Sequence, residues 1–293
     1  MRILISGGTG LIGGNLCVQA ARQHQAWATD VVAAPDQLPG VTWLVADLTD
    51  REQVAAVFQQ ARPQAVVHCA AISNIDLAQR EQELAWAVNV TGSRHVAELC
   101  REWGARLVAC STDTVFDGVR GGYREDDPPS PVNWYGQTKV EMERLVAALA
   151  PSWAVARLSM VYGLPALAGP PGYLERLLSS LEAGKATQHS EAELRTPVDA
   201  LTVRDALLEL ATGDYQGLLH VAGRERVSRR ELARRVAARV GADPALVQPE
   251  PQLSPGKAPR PRDASLESAR AGQVLATPML DVAQGLERVL PTR

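Results

Sequence analysis

Arg2-Ile3-Leu4-Ile5-Ser6 runs straight into Gly7-Gly8-Thr9-Gly10-Leu11-Ile12-Gly13, and this join constrains the fold more than any other stretch of the chain. The short apolar run suits a buried parallel strand, and a helical pattern follows from about Leu11 to Arg22. Glycines at 7 or 8, 10 and 13 can turn the chain tightly, admit a pyrophosphate against the backbone, and let helix and strand pack closely. Unpaired N–H groups and the dipole at the helix start then favour an anion. A purely structural glycine turn is the competing reading. A turn that follows a strand and opens a helix is, however, the context dinucleotide binding requires.

The rest of the chain alternates in the same way. Strands are expected near 2–6, 30–34, 42–46, 65–69, 106–111 and 154–159, with helices near 11–23, 50–60, 77–101 and 133–149. This alternation predicts an α/β fold, a Rossmann-type doubly wound parallel sheet. After Gly163 the pattern changes. Helices are expected near 173–183, 203–212 and 280–290, a strand at 218–221, and an N-cap at Ser228 with Glu231 in the capping-box position. Residues 1–162 therefore read as a dinucleotide-binding domain. Residues 163–293 read as mainly a smaller C-terminal substrate-binding region, with strands or helices returning to the first domain. The arginine run from Arg224 to Arg239 reads as a solvated helix face.

Composition narrows the class. With 293 residues, 46% of them hydrophobic, the chain can bury a full core. A net charge of −3 leaves no electrostatic footprint for nucleic acid. No apolar run reaches membrane-spanning length and Met1 leads directly into the first strand, so neither a membrane span nor a signal peptide is expected. Cys17, Cys69, Cys100 and Cys110 stand at unrelated spacings in apolar segments, which predicts buried reduced thiols and a cytoplasmic protein rather than a disulfide framework or a zinc site.

Tyr135-Gly136-Gln137-Thr138-Lys139 places a phenol and an ammonium one helical turn apart on one face. A free tyrosine titrates near pH ~10. A lysine cation and a hydroxyl beside the phenol would lower that value and make the proton transferable. Thr112, some twenty residues upstream, is the candidate hydroxyl. The bland alternative is an amphipathic helix with both side chains at the surface.

Taken together, Gly7-x-x-Gly10-x-x-Gly13, Asp47-Leu48, His68-Cys69-Ala70-Ala71, Asn89, Thr112, Tyr135 and Lys139 resemble an extended short-chain dehydrogenase/reductase. Within that superfamily the chain most resembles the dTDP-4-dehydrorhamnose reductase family. The narrower likeness lies in Ser111-Thr112-Asp113-Thr114-Val115-Phe116-Asp117-Gly118, Tyr123-x-Glu125-x-Asp127, Pro131-x-Asn133-x-Tyr135-Gly136, Arg157-to-Gly163 and Arg260-Pro261-Arg262. The resemblance implies an NAD(P)H-dependent reductase of a nucleotide-linked 4-keto-6-deoxysugar in dTDP-rhamnose biosynthesis. Tyr135 would be the general acid, Lys139 would hold the nicotinamide ribose, and Thr112 would fix the carbonyl oxygen. Gly7, Gly10, Leu11, Ile12, Gly13, Asp47, Leu48, Ala70, Ala71 and Asn89 would contribute to the cofactor site. Asn89 would orient the lysine through water, with a helix kink or surface residue as its competitor. Asp47 would meet the adenine amino group, with a helix N-cap as its competitor.

Three departures bear on specificity. The family usually carries an aromatic residue where Thr114 stands and often a tryptophan where Met160 stands. At the end of the second strand the sequence reads Val31-Val32-Ala33-Ala34-Pro35-Asp36, with no acid in the strand end for a ribose 2′-hydroxyl and no nearby arginine for a 2′-phosphate. Asp36 either reaches the ribose or is a turn residue after proline. The cofactor is therefore NADP or NAD, and the family preference tips the expectation towards NADP. The Arg260-Pro261-Arg262-Asp263-Ala264 stretch equally resembles the β subunit of methionine adenosyltransferase, a regulatory role. An epimerase or dehydratase retaining NAD would share the tyrosine and lysine, with Asp113 as a further base or acid. A homodimer fits any of these readings.

Overall fold

The computed structural model describes residues 1–34, 38–167, 171–250 and 256–290. Strands β1 (Arg2–Ser6), β2 (Gln25–Asp30), β3 (Val41–Val45), β4 (Ala65–His68), β5 (Arg106–Thr112) and β6 (Trp153–Leu158) join a last strand, Gly217–Val221, in one sheet. All pairs in it are parallel, in the order β3, β2, β1, β4, β5, β6 and the last strand. The order reverses between β1 and β4, which opens a crevice at the strands' carboxyl ends. The Rossmann-type architecture expected from the sequence is the one observed.

Period-two alternation feeds the two faces of the sheet. Ile3 and Ile5 of β1 pack with Leu16 and Ala20 of α1 (Leu11–Ala20) and with Val203 and Leu207 of the Ala200–Thr212 helix. Leu4 points the other way, to Val54 and Phe58 of α2 (Arg51–Ala61), Val96 and Met142. The helix at 200–212 and the strand at 217–221 thus join the sheet and its core from the C-terminal part of the chain. A separate apolar cluster, including Leu174, Leu177, Leu232, Val236, Val282 and Leu286, holds the helices Tyr173–Glu182, Arg229–Arg239 and Val282–Val289 together.

Three local expectations need correction. β2 is Gln25–Asp30, not 30–34. Val31 and Val32 are 62% and 49% exposed, whereas Ala26, Ala28 and Thr29 are buried. Ala26 and Ala28 keep one face of this strand small where the glycine-rich turn lies against it, Trp27 pointing to the other face; a Cβ on Gly8 would stand 3.2 Å from that of Ala28. The helix expected at 77–101 is segmented into Ile75–Arg80, Gln82–Trp86, a π-helical turn at Ala87–Gly92 and Ser93–Trp103. Such wide turns interrupt helices at special sites, and this one accompanies the inward-facing Asn89 described below. Ser228 does cap its helix, its Oγ accepting from the Glu231 N–H at 3.0 Å. Glu231, however, accepts from Arg235 Nε at 2.9 Å, because a charged donor one turn on outcompetes the Ser228 N–H.

His68, at the end of β4, is buried with Nδ1 2.7 Å from Ser6 Oγ and Nε2 2.8 Å from Ser93 Oγ. Burial, with the Lys139 charge adding to it, lowers its pKa to about 3. Burial and then Arg157 lower that of the equally buried His220 to about 4. In the unfolded chain both titrate near 6.5. Above that value neither state takes a proton and stability is full. Below it the unfolded chain is protonated first, so stability falls as pH drops from 6.5 towards the folded values. At pH ~5 each histidine should cost roughly 2 kcal/mol. Urea unfolding at neutral and mildly acid pH measures this, and a midpoint unchanged across the window would contradict it.

Candidate active site

The glycine-rich turn divides its labour. Gly7 has φ +73°, and a Cβ there would lie 2.7 Å from the Ala70 backbone. A Cβ on Gly13 would lie 2.1 Å from the Gly7 carbonyl oxygen. These two glycines let β1, α1 and the end of β4 meet. Gly10 differs: a Cβ would meet only the Gly7 oxygen, at 3.3 Å, and otherwise fill the cleft. Gly10 is also the N-cap residue of α1 and supplies no side-chain cap. The helix start is therefore a bare cradle for an anion, which fits the pyrophosphate of a dinucleotide.

A cleft of about 720 Å³ runs from this turn along the carboxyl edge of the sheet. Gly7, Gly10, Leu11, Ile12 and Gly13 line one end. Asp47, Leu48, Ala70 and Ala71 line its middle, and Thr112, Tyr135 and Lys139 stand further along. Asn89 does not line it. It is fully buried, its Oδ1 accepting from Ile72 N–H (2.8 Å) and its Nδ2 donating to the Ile72 carbonyl (3.2 Å) and Thr138 Oγ1 (3.0 Å). This ties the strand-to-helix loop after β4 to the turn that carries Lys139. Asp47 accepts from Thr49 N–H and Oγ1, both at 2.8 Å, while the N-cap of α2 is Asp50, which accepts from Glu52 N–H at 2.9 Å.

Because β2 ends four residues earlier than expected, it ends in an acid. Asp30 lines the cleft, with Oδ2 accepting from Thr9 N–H (3.0 Å) and Thr9 Oγ1 (2.6 Å) and Oδ1 from Val31 N–H (2.8 Å). It occupies the place from which a carboxylate meets a ribose 2′-hydroxyl and repels a 2′-phosphate. Asp36 lies outside the described residues. Asp30→Ala should raise NADPH affinity relative to NADH by about tenfold, ~1.4 kcal/mol. Paired fluorescence titrations of both cofactors read the ratio, and an unmoved ratio would remove Asp30 from cofactor selection.

Tyr135 and Lys139 sit in the first turns of the Trp134–Leu149 helix, both buried apart from their faces on the cleft. Asn133 caps that helix, its Oδ1 accepting from Gly136 N–H at 2.9 Å. Gly136 is the enabling residue, since a Cβ there would lie 2.4 Å from the Thr114 carbonyl oxygen. Its absence lets the helix close on the Thr112–Thr114 segment. Burial pushes the Tyr135 phenol above its ordinary value, Asp113 adds to the rise, and a hydrogen bond with Thr112 opposes it. The lowered phenol expected from the sequence is thus not found: desolvation disfavours the phenolate more than its neighbours stabilise it. Lys139 is lowered from its ordinary 10.5, again mainly by burial.

Asp113 is the hub behind Thr112. Its Oδ2 accepts from Ser159 Oγ (3.0 Å) and pairs with Arg195 Nε (3.4 Å), and its Oδ1 lies 3.2 Å from Thr112 Oγ1. Burial raises its pKa and Arg195 opposes that. Thr114, where an aromatic was the family expectation, holds Thr112 Oγ1 with its own hydroxyl at 2.6 Å. Met160 also lines the cleft.

Sequence reasoning missed part of the cleft's lining. Arg195, Arg229 and Arg260 line it with Tyr173, Arg195 buried against Asp113. Arg229 belongs to the run read as a solvated face, yet it stands over the Tyr173 ring at 5.7 Å. Most of its neighbours match that reading better, Arg226 pairing with Asp263 and Arg235 with Glu225 and Glu231. The signal available was the opening position of Arg229 in a capped helix, where side chains turn back past the N-terminus. Sequence spacing also hid the approach of Cys69 and Cys110, whose Sγ atoms lie 3.6 Å apart. No group of side chains among the described residues could hold a metal ion, and no helix among them is long and apolar enough to cross a membrane.

A parallel sheet with a glycine-rich turn at its switch point, and a threonine, tyrosine and lysine facing one cleft, define an extended short-chain dehydrogenase/reductase. Over residues 1–292 the sequence matches the family described as RmlD substrate binding domain, and the chain belongs to that family. It is 34% identical over 275 residues to a dTDP-4-dehydrorhamnose reductase of Mycobacterium tuberculosis, covering 92% of this chain and 84% of that protein. It is 29% identical over 283 residues to methionine adenosyltransferase 2 subunit beta of Xenopus laevis, covering 92% and 81%. The solved structure of Bacillus anthracis dTDP-4-dehydrorhamnose reductase in complex with NADP superposes with a TM-score of 0.83 at 26% identity, covering 98% of each chain.

Proposed function

We propose that this chain is an NAD(P)H-dependent reductase of a nucleotide-linked 4-keto-6-deoxysugar, of the dTDP-4-dehydrorhamnose reductase type. The observation that carries the reading is the placement of Thr112, Tyr135 and Lys139 along the same cleft that begins at the bare glycine cradle of Gly10. The likeness to reductases of that name supports the substrate class. The nicotinamide dinucleotide, when bound, supplies a hydride.

The chain's own residues do the rest. Gly7 to Gly13 hold the pyrophosphate at the start of α1. Lys139, one turn from Tyr135, holds the nicotinamide ribose. Thr112 donates to the sugar carbonyl oxygen and fixes it beside the phenol. Tyr135 gives that oxygen its proton. Its raised pKa keeps the phenol protonated at neutral pH, the state an acid needs. Arg229 and Arg260, less buried than Arg195, offer planar donors suited to a diphosphate. In this reading residues 1–162 serve the cofactor and the chain beyond them mainly the substrate. Incubation with NADH or NADPH and a panel of nucleotide-linked ketosugars, followed at the nicotinamide absorbance band, tests it. Absence of turnover with every 4-keto-6-deoxysugar would overturn it.

The similarity to methionine adenosyltransferase 2 subunit beta favours a second reading, a regulatory subunit that binds the dinucleotide without turning it over. Tight capture of a methionine adenosyltransferase together with no reductase activity would establish that reading instead.

A further inference from the structure

We propose that Cys69 and Cys110 form a reversible dithiol–disulfide site on the wall of the cleft, and that its oxidation weakens dinucleotide binding. The sheet register brings the two residues together. His68 and Ala109 are the last paired residues of β4 and β5, so Cys69 and Cys110 are the next cross-strand neighbours. Adjacent strands lie ~4.8 Å apart, within the ~4.4–6.8 Å that disulfide-linked Cα atoms span. The Sγ atoms are already 3.6 Å apart and both residues line the cleft, so an oxidant of small size reaches them.

The electrostatics divide the pair into two roles. The hydrogen bond shared with Cys69 lowers the Cys110 thiol, burial opposes this, and the Lys139 charge adds to the lowering. The same shared bond, and then burial, push Cys69 up. Cys110 is therefore the more readily ionised of the two and Cys69 the thiol that resolves. Cys17 and Cys100 are the built-in contrast: both are buried outside the cleft, and desolvation raises both, Cys17 to about 12.

Hydrogen peroxide is the oxidant proposed. The Cys110 thiolate attacks one peroxide oxygen, the O–O bond breaks, and the departing hydroxide takes up a proton as water. The Cys69 sulfur then attacks the resulting sulfenic sulfur and expels the second water, as its own proton is lost. Two thiols and one peroxide give one disulfide and two waters.

The consequence for binding rests on the cofactor reading above. Cys69 leads directly into Ala70, whose backbone already fills the space a Gly7 side chain would need. Drawing the Cys69 sulfur towards Cys110 shifts the segment on which the glycine-rich turn rests. It also removes an ionisable thiol beside Lys139.

The test treats the full-length protein with hydrogen peroxide, alkylates the remaining thiols under denaturing conditions, and maps peptides by mass spectrometry. A linked pair of peptides carrying Cys69 and Cys110, lighter by two hydrogens and reversed by dithiothreitol, is expected. It should be absent from Cys69→Ala and Cys110→Ala. Oxidised protein should bind NADH and NADPH at least about tenfold more weakly than reduced protein, with recovery on reduction. Cys69 and Cys110 recovered as free thiols or as separate oxygenated acids would overturn the site. A linkage that forms while both affinities stay the same would overturn the control of binding. Reduced protein that binds neither cofactor would sink the cofactor reading instead, and the peptide map would still report on the linkage.

Discussion

Tyr135→Phe should lower ketosugar reduction by about 10²–10⁴-fold while leaving the fold and cofactor binding intact. The substitution removes one oxygen from a side chain packed against Ala78 and Ala85, and the ring that makes those contacts remains. The pH profile separates a proton donor from a packing residue. Burial raises Tyr135, so the phenol stays protonated beyond the ordinary tyrosine range and does not set an alkaline limit. Burial lowers Lys139, so as pH rises its charge is lost before the ordinary 10.5. In the free protein kcat/KM for reduction should therefore fall as pH rises through the Lys139 value. That limb should persist in the residual activity of Tyr135→Phe. Near wild-type turnover by the phenylalanine variant would remove Tyr135 from catalysis. A limb that disappears with the phenol would assign it to Tyr135 rather than Lys139.

Much of this site was legible because its parts are local. The glycine-rich turn declares itself within thirteen residues, and Tyr135 and Lys139 share a helix turn. Parallel-sheet alternation then carries Thr112 to the same edge. What was illegible depends on the third dimension. The face of β2 towards α1 and the glycine turn carries only Ala26 and Ala28, which weakens its apolar pattern, so the more apolar Val31-Val32 drew the strand away from its true span. The direction of the Tyr135 shift depends on desolvation and the Asp113 charge outweighing the Thr112 hydrogen bond, which no spacing encodes. The pairing of Cys69 with Cys110 depends on strand register across forty-one residues. Asn89 is visible as an amide in a helix, but its turn inward requires the π-helical widening at Ala87–Gly92.

Arg157→Met should destabilise the protein by roughly 3–5 kcal/mol, the usual cost of leaving one member of a buried ion pair alone. Arg157, in β6, is 1% exposed and grips Glu143 of the Tyr135 helix with two hydrogen bonds, Nε to Oε1 at 3.0 Å and Nη2 to Oε2 at 2.8 Å. Ser111 of β5 donates to the same carboxylate, and the guanidinium stacks 5.1 Å over Phe116. Methionine keeps much of the packing against Phe116 but abandons the Glu143 charge in a site where water cannot replace the arginine. Replacing both partners, Arg157→Met with Glu143→Leu, removes the stranded charge, and most of the lost stability should return. The pair joins β5, β6 and the helix, so it also fixes Thr112 relative to Tyr135. The double variant should accordingly regain stability without regaining full turnover, because an apolar contact sets the helix position less sharply than a two-pronged bond. Urea unfolding of the four proteins in the cycle, with their reductase rates, measures both effects. An Arg157→Met variant within about 1 kcal/mol of wild type would mean that water or a nearby donor already satisfies Glu143, and that the helix is positioned by Gly136 and Asn133 alone.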